Sequence, residues 1–230
     1  MPASLRELRS RRTSVSTTKK ITRAMELIAA SRIIKAQQRA RAAAPYAREL
    51  TAAVSAVATF SNVEHPLTME KENPTRAAIL LITSDRGLAG AYSSSVIRAG
   101  EQLTSLLHKE GLEVQPFLTG RKAMAYYQFR RRDVAAHWEG FSDAPTYANA
   151  REVADAIIQA FLTPTAEGGV DEIHVVYTRF VSMLTQTPEV IRLLPLEVVE
   201  GEETPGDDDL LPLYEFEPDA ETVLDELLPL

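Results

Sequence analysis

The residues best placed to do chemistry follow a continuous apolar run. Ala77 to Thr83 reads Ala-Ala-Ile-Leu-Leu-Ile-Thr, and Ser84-Asp85-Arg86-Gly87-Leu88-Ala89-Gly90 follows as a turn before a helical pattern. A strand, a glycine-bearing turn and a helix start form the setting of a phosphate loop, in which the first helix amides and the helix dipole attract an anion. The motif itself is incomplete. Gly87 and Gly90 are spaced Gly-x-x-Gly, without the third glycine of a dinucleotide fingerprint or the Gly-Lys-Ser/Thr ending of a P-loop. A tight structural turn accounts for the same residues more simply, with a small nucleotide-dependent enzyme as the rival reading.

Other chemistry-bearing residues do not converge. His65, His108, His137 and His174 show no i, i+4 pairing and no acid at a metal-site spacing, so each reads as surface or core. Ser93-Ser94-Ser95 lies in no Gly-x-Ser-x-Gly elbow and reads as a helix cap. The stretch Glu200 to Asp209 is acidic but carries Gly201, Pro205 and Gly206, the composition of a solvated loop more than of a calcium site. With 0 cysteines there is no disulfide framework, thiolate zinc site or cysteine nucleophile, which fits a reducing compartment. The expectation is a chain without catalytic residues, cofactor or metal.

The elements around the turn alternate. Ser93 to Lys109 is an amphipathic helix that Gly111 can stop, and Glu113 to Thr119 a second strand. Helix Gly120 to Arg130, a short strand near Val134 to Trp138, helix Tyr147 to Leu162 and strand Glu172 to Arg179 continue the series. This order predicts an α/β fold with an open, mostly parallel, Rossmann-like sheet over residues 75–199.

The first sixty residues are of a different kind. Ser4-Leu5-Arg6-Glu7 is a capping box, and from it one helix is predicted to Phe60, about 85 Å long at about 1.5 Å per residue. Leu8, Val15, Thr22, Ala29, Ala36, Ala43, Leu50 and Val57 form a charge-free column at seven-residue spacing, as a coiled coil requires. The adjoining column is interrupted by Arg11, Arg32 and Arg39. Pro45 removes an amide donor inside this pattern, predicting a kink near Ala44 or a second helix from Pro45 onward. Residues 61–74, with His65-Pro66 and Asn73-Pro74, read as a linker; 200–217 as an acidic loop and return segment; and 218–230 as the start of a last helix with Asp219 as its cap.

Charge divides the chain in the same place. Residues 1–60 hold twelve Lys or Arg against Glu7, Glu26 and Glu49, a net of +9; since the whole chain carries −7, residues 61–230 carry −16. A basic arm on an acidic body permits nucleic-acid binding through phosphate neutralisation, or contact with acidic protein surfaces, or simply a solvated helix face. There is no secretory signal pattern and no apolar run long enough to span a bilayer, so any membrane association is expected to be peripheral.

Lys19-Lys20-Ile21-Thr22-Arg23-Ala24-Met25-Glu26-Leu27-Ile28-Ala29-Ala30-Ser31 resembles the N-terminal helix signature of the gamma subunits of rotary ATP synthases. The likeness continues in Pro45-Tyr46-Ala47, Thr83 to Gly90, Phe180 to Pro188, Leu193-Leu194-Pro195-Leu196 and Phe216-Glu217-Pro218-Asp219, covering nearly the whole chain in the family's order. The resemblance implies a central-stalk rotor at the cytoplasmic side of the cell membrane, non-catalytic itself, that couples proton flow through the c-subunit ring to ATP synthesis or hydrolysis in the alpha and beta subunits. It implies that Lys20, Arg23 and Met25 face the beta subunits. Asp85, Arg86 and Gly87 are implied to lie in the foot near the epsilon subunit and the ring. Ala89 stands where many relatives have cysteine, implying no thiol switch. The chain reaches Leu230 before the C-terminal helix that in the family pairs with the first, so a shortened shaft is expected.

Overall fold

The computed structural model describes residues 4–60, 66–196 and 222–223. The expected acidic loop 200–217 and, apart from Thr222 and Val223, the expected final helix lie outside the described residues. The chain divides into two units, Met1–Ala53 and Val54–Leu230.

The first unit is helix α1, Leu5–Phe60, which extends across the boundary. Its start follows from the capping box: the Ser4 amide donates to Glu7 Oε2 at 2.9 Å, and the Glu7 amide to Ser4 Oγ at 3.3 Å. The helix continues through Pro45, so a separate helix does not begin there. The proline leaves one carbonyl of the preceding turn without its amide, but this stretch is exposed and water can take that carbonyl's place. Leu8, Val15, Thr22, Ala29, Ala36 and Ala43 of the charge-free column all lie exposed, as do Ile21, Ile28 and Ile34 beside it, so this part of the column is on the helix surface.

In the second unit β1 (Arg76–Ile82), β2 (Glu113–Thr119), β3 (Ala136–Trp138) and β4 (Glu172–Phe180) pair in parallel, and β5 (Gln186–Leu194) returns antiparallel beside β4. The sheet order is β3-β2-β1-β4-β5. The expected mostly parallel sheet is present, and its one antiparallel strand among the described residues is the marginal β5. Pro188 sits inside β5 opposite Thr178, and a proline is tolerated there because β5 is the outermost strand.

Strand β1 reads as an unbroken apolar run because both of its faces are covered. Ala77, Ile79 and Leu81 pack with α2 (Tyr92–Lys109) and α3 (Arg121–Phe129) through Val96, Leu103, Leu107 and Tyr127. Ala78 and Leu80 pack on the other side with Val153, Ile157 and Phe161 of α4 (Tyr147–Leu162). Helix α2 ends as expected at Gly111, whose φ is +91°. The Gly111 amide donates to the His108 carbonyl and the Leu112 amide to the Leu107 carbonyl, a Schellman closure. Its start differs from expectation: Ala91 occupies the cap position without a side-chain bond, and Ser93 is used elsewhere.

Candidate protein-protein interface

The turn after β1 is built by its neighbours. Thr83, buried, donates its hydroxyl to the Thr119 carbonyl at 2.8 Å and accepts the Ala123 amide at 3.0 Å. This locks the end of β1 to the start of α3. Gly120 lies between them with φ +89°, and a Cβ there would stand 2.3 Å from the Thr83 carbonyl oxygen, so both conformation and space demand glycine. Ser84 and Ser93 bond through their hydroxyls at 2.9 Å, and the Ser84 amide donates to Ser93 Oγ at 3.3 Å. Ser93 thus ties the turn to α2 instead of capping it.

Asp85 points inward. Its carboxylate accepts the Arg121 amide at 3.1 Å and the Ser142 amide at 2.9 Å, while its own amide donates to Ser142 Oγ at 2.9 Å. Burial pushes this carboxyl up, but bonds from the Gly140 and Ser142 amides, the Ser142 hydroxyl and the Arg121 amide pull it further down, to about 2. Arg86 reaches across to Asp143 at 2.9 Å. Gly87 is exposed, and a Cβ there would meet only Lys122 Nζ at 3.8 Å. The left-handed positions of the turn are instead Leu88, φ +63°, and Gly90, φ +58°. Leu88 is 89% exposed in a conformation that costs a leucine about 1 kcal/mol or more.

The arrangement does not suit a phosphate. A carboxylate held ionised beside the turn repels an anion, and the Ser84 and Ser93 hydroxyls are spent on each other. At the carboxyl ends of the strands, where open α/β sheets bind ligands, Ile82, Trp138, Phe141 and Tyr177 pack on the core, and the clefts beside them are lined by the turn itself, Asp85 and Arg86 in one and Gly87 to Gly90 in the other. Among the described residues no group of three or more His, Cys, Asp or Glu could hold a metal, and no helix is long and apolar enough to cross a membrane.

What this end of the body offers is apolar surface. Successive pairs Ile173↔Leu194 to Phe180↔Gln186 carry the β4–β5 hairpin beyond Ile82, where β1 stops. At its tip the Ser182 hydroxyl accepts the Leu184 and Thr185 amides, and Gln186 Nε2 donates to the Ser182 and Met183 carbonyls. The loop is thereby fixed with Leu184 97% exposed and Val181 and Met183 mostly so. Exposed apolar groups held by a rigid loop mark a contact surface. Sequence reading missed this hairpin because Pro188 obscured β5.

On α1, Lys20 and Arg23 lie about 60° apart around the axis, whereas Met25 lies roughly 140° from Lys20, at 3.6 residues per turn. The structure therefore places Lys20 and Arg23 on one face and Met25 on another, near Ile21 and Ile28. Arg23 pairs with Glu26 at 2.7 Å, with both side chains largely exposed. An exposed pair of this kind is worth about 0.2–1 kcal/mol, so the arginine is easily recruited by another carboxylate.

A long first helix followed by a mostly parallel α/β body is also the fold of solved ATP synthase stalk chains. The protein superposes on a chain from the central stalk and c-ring of Tetrahymena thermophila mitochondrial ATP synthase with TM-score 0.60 and 18% identity, covering 91% of this chain and 86% of that one. A rotor chain of Euglena gracilis mitochondrial ATP synthase gives TM-score 0.53 at 16% identity, covering 82% of this chain and 63% of that one. These likenesses concern the fold. Residues 4–230 match the model of the family described as ATP synthase. Over 229 residues the chain is 65% identical to the ATP synthase gamma chain of Nocardioides sp. and 62% identical to that of Acidothermus cellulolyticus, in each case with all of this chain and 76% of the relative covered. The chain belongs to the ATP synthase family, and the relatives it matches over its whole length are ATP synthase gamma chains. Neither a nucleic-acid arm nor a nucleotide-dependent enzyme is favoured by these relationships.

Proposed function

We propose that this chain is a non-catalytic rotor subunit that couples proton flow through the c-subunit ring to ATP synthesis or hydrolysis at the beta subunits. In this reading residues 1–60 are the shaft, 61–74 a linker and 75–199 the foot. The observation that carries it is the family match across residues 4–230. Lys20 and Arg23 steer an acidic surface of a beta subunit, and Met25 supplies an apolar contact on the other side of the helix. Asp85 holds the foot turn from within, Arg86 and Gly87 sit on its surface, and Leu88 with the hairpin tip makes the contact with the epsilon subunit or the ring. The subunit is peripheral, on the cytoplasmic side of the cell membrane, and holds no cofactor.

The test is reconstitution of the chain with its alpha, beta and epsilon subunits and the membrane sector in vesicles. ATP-driven proton uptake that depends on this chain supports the rotor reading. Uptake unaffected by a cross-link from Met25→Cys to a neighbouring beta subunit overturns the torque role, and calorimetric binding of ATP to the isolated chain overturns the non-catalytic one.

A further inference from the structure

Residues 66–75 precede β1 and have no helix or strand of their own. Load passed along the backbone between α1 and the sheet must cross this stretch, and an irregular segment is ordinarily a soft link. Here it is fastened at several points. Leu67 is buried in the core and its carbonyl accepts the Leu196 amide at 2.9 Å. Glu70 pairs with Arg192 at 2.8 Å. The remaining fasteners meet at one carboxylate, that of Asp171, whose side chain is 2% exposed.

Asp171 stands immediately before β4, and Thr75 immediately before β1, the central strand. Asp171 Oδ2 accepts the Thr75 amide at 2.7 Å, the Arg76 amide at 3.0 Å and the Thr75 hydroxyl at 3.2 Å. Oδ1 accepts Lys71 Nζ at 2.7 Å and the Thr165 hydroxyl. The Asp171 amide in turn donates to the Arg76 carbonyl at 2.7 Å. Arg76 extends the cluster through its guanidinium, which donates to the Thr165 and Gly169 carbonyls at 3.1 and 3.2 Å and pairs with Glu113 at 2.8 Å.

Five donors on one buried carboxylate leave it no spare acceptor capacity, so the group is committed to holding these elements together. Burial pushes the carboxyl up, but the Lys71 and Thr165 side chains and the Thr75 and Arg76 amides hold it well below the usual carboxylate range. The cluster remains ionised at any physiological pH and works as a fixed fastening.

We propose that Asp171 is a positioning residue for torque transfer: it clamps residues 71–76 to the amino ends of the two central strands β1 and β4. The stretch after α1 then turns with the sheet instead of winding against it. This rests on the rotor reading given above.

The test uses Asp171→Asn in the assembled ATP synthase, in vesicles, with ATP hydrolysis, ATP-driven proton uptake and subunit content measured on the same preparation. Asparagine keeps the size but turns an amino group toward the Thr75 and Arg76 amides or toward Lys71. Exchange of the Thr75 and Arg76 amides should then rise at least about tenfold. Protons taken up per ATP hydrolysed should fall several-fold while hydrolysis per assembled complex persists. A purely structural Asp171 lowers yield and melting temperature but leaves protons per ATP at the wild-type value; that result overturns the proposal, whatever the amide exchange does. Where Asp171→Asn does not assemble, Lys71→Met removes one donor from a half-exposed position, and a wild-type ratio in that variant overturns the proposal equally. Absence of proton uptake in the wild-type assembly would refute the rotor reading itself, which keeps the two failures distinct.

Discussion

Replacing Asp85 by asparagine should destabilise the body by an amount that depends on pH in a defined direction. The carboxylate faces the Arg121 and Ser142 amides, with the Gly140 amide and the Ser142 hydroxyl also drawing on it. Asparagine keeps one acceptor and turns an amino group toward the other donor, so two N–H groups meet where a bond was. The wild-type carboxyl, lowered from 3.8 to about 2, gains about 2.4 kcal/mol at neutral pH from its preferential ionisation in the folded state. Asp85 is partly exposed, and screening reduces the expected contribution to about 1–2 kcal/mol. Because the folded-state value lies below the unfolded one, this stabilisation is complete above about pH 5, falls to about half near pH 3 and is largely lost near pH 2. The chain has 1 tryptophan, Trp138, stacked on Phe117 with ring centroids 6.5 Å apart, so its fluorescence reports unfolding of the body that contains Asp85. Urea titrations followed at Trp138 should show the variant midpoint lower by roughly 0.5–1 M at pH 7, with unchanged slope. The gap should narrow by about half at pH 3. Coincident curves at pH 7, or a gap as wide at pH 3 as at pH 7, would refute the assignment of Asp85 as an ionised internal clamp.

Gly120→Ala places a Cβ 2.3 Å from the Thr83 carbonyl oxygen at φ +89° and should cost about 3 kcal/mol or more; a melting temperature within about 2 °C of wild type would show that the β1–α3 junction is not as tight as described. Leu184→Asp alters a side chain that is 97% exposed, so the isolated chain should keep its stability within about 0.5 kcal/mol while losing retention on immobilised epsilon subunit or c-ring. Undiminished retention on both would remove the hairpin tip from the foot contact. Arg23→Glu sets two acids at i, i+3 where Arg23 and Glu26 now pair at 2.7 Å, a local cost of about 0.2–0.5 kcal/mol, far too little to unfold α1. Its expected effect is weaker coupling of ATP hydrolysis to proton uptake, and wild-type coupling would exclude Arg23 from the beta contact.

Legibility followed burial. Residues 77–83 announced a central strand because both faces of β1 are covered, and Ser4 and Glu7 announced the start of α1 because a capping box is local. The parts that escaped have partners far along the chain or obey an exception. Asp85 was visible as a turn residue, yet its inward role depends on Gly140 and Ser142, more than fifty residues away. Asp171 collects Lys71, Thr75 and Thr165 with no pattern to link them. Pro188 masked a strand because a proline is compatible only with a margin, and marginal position is a property of the sheet. Of the two readings of Pro45, a kink or a second helix, the second fails because α1 is continuous through it. Lys20, Arg23 and Met25 were grouped by motif, while the helical period separates Met25 from the other two.

The two margins of the sheet have a consequence before assembly. An unpaired strand edge is a template on which other chains polymerise, and a stalk subunit is exposed to that hazard while it waits for its partners. One margin is β3, only 3 residues long. The other is β5, where Pro188 lacks an amide to donate and Glu189 and Arg192 place charge along the strand. Brevity on one side and an imino acid with flanking charge on the other make both margins, among the described residues, poor templates for a further strand.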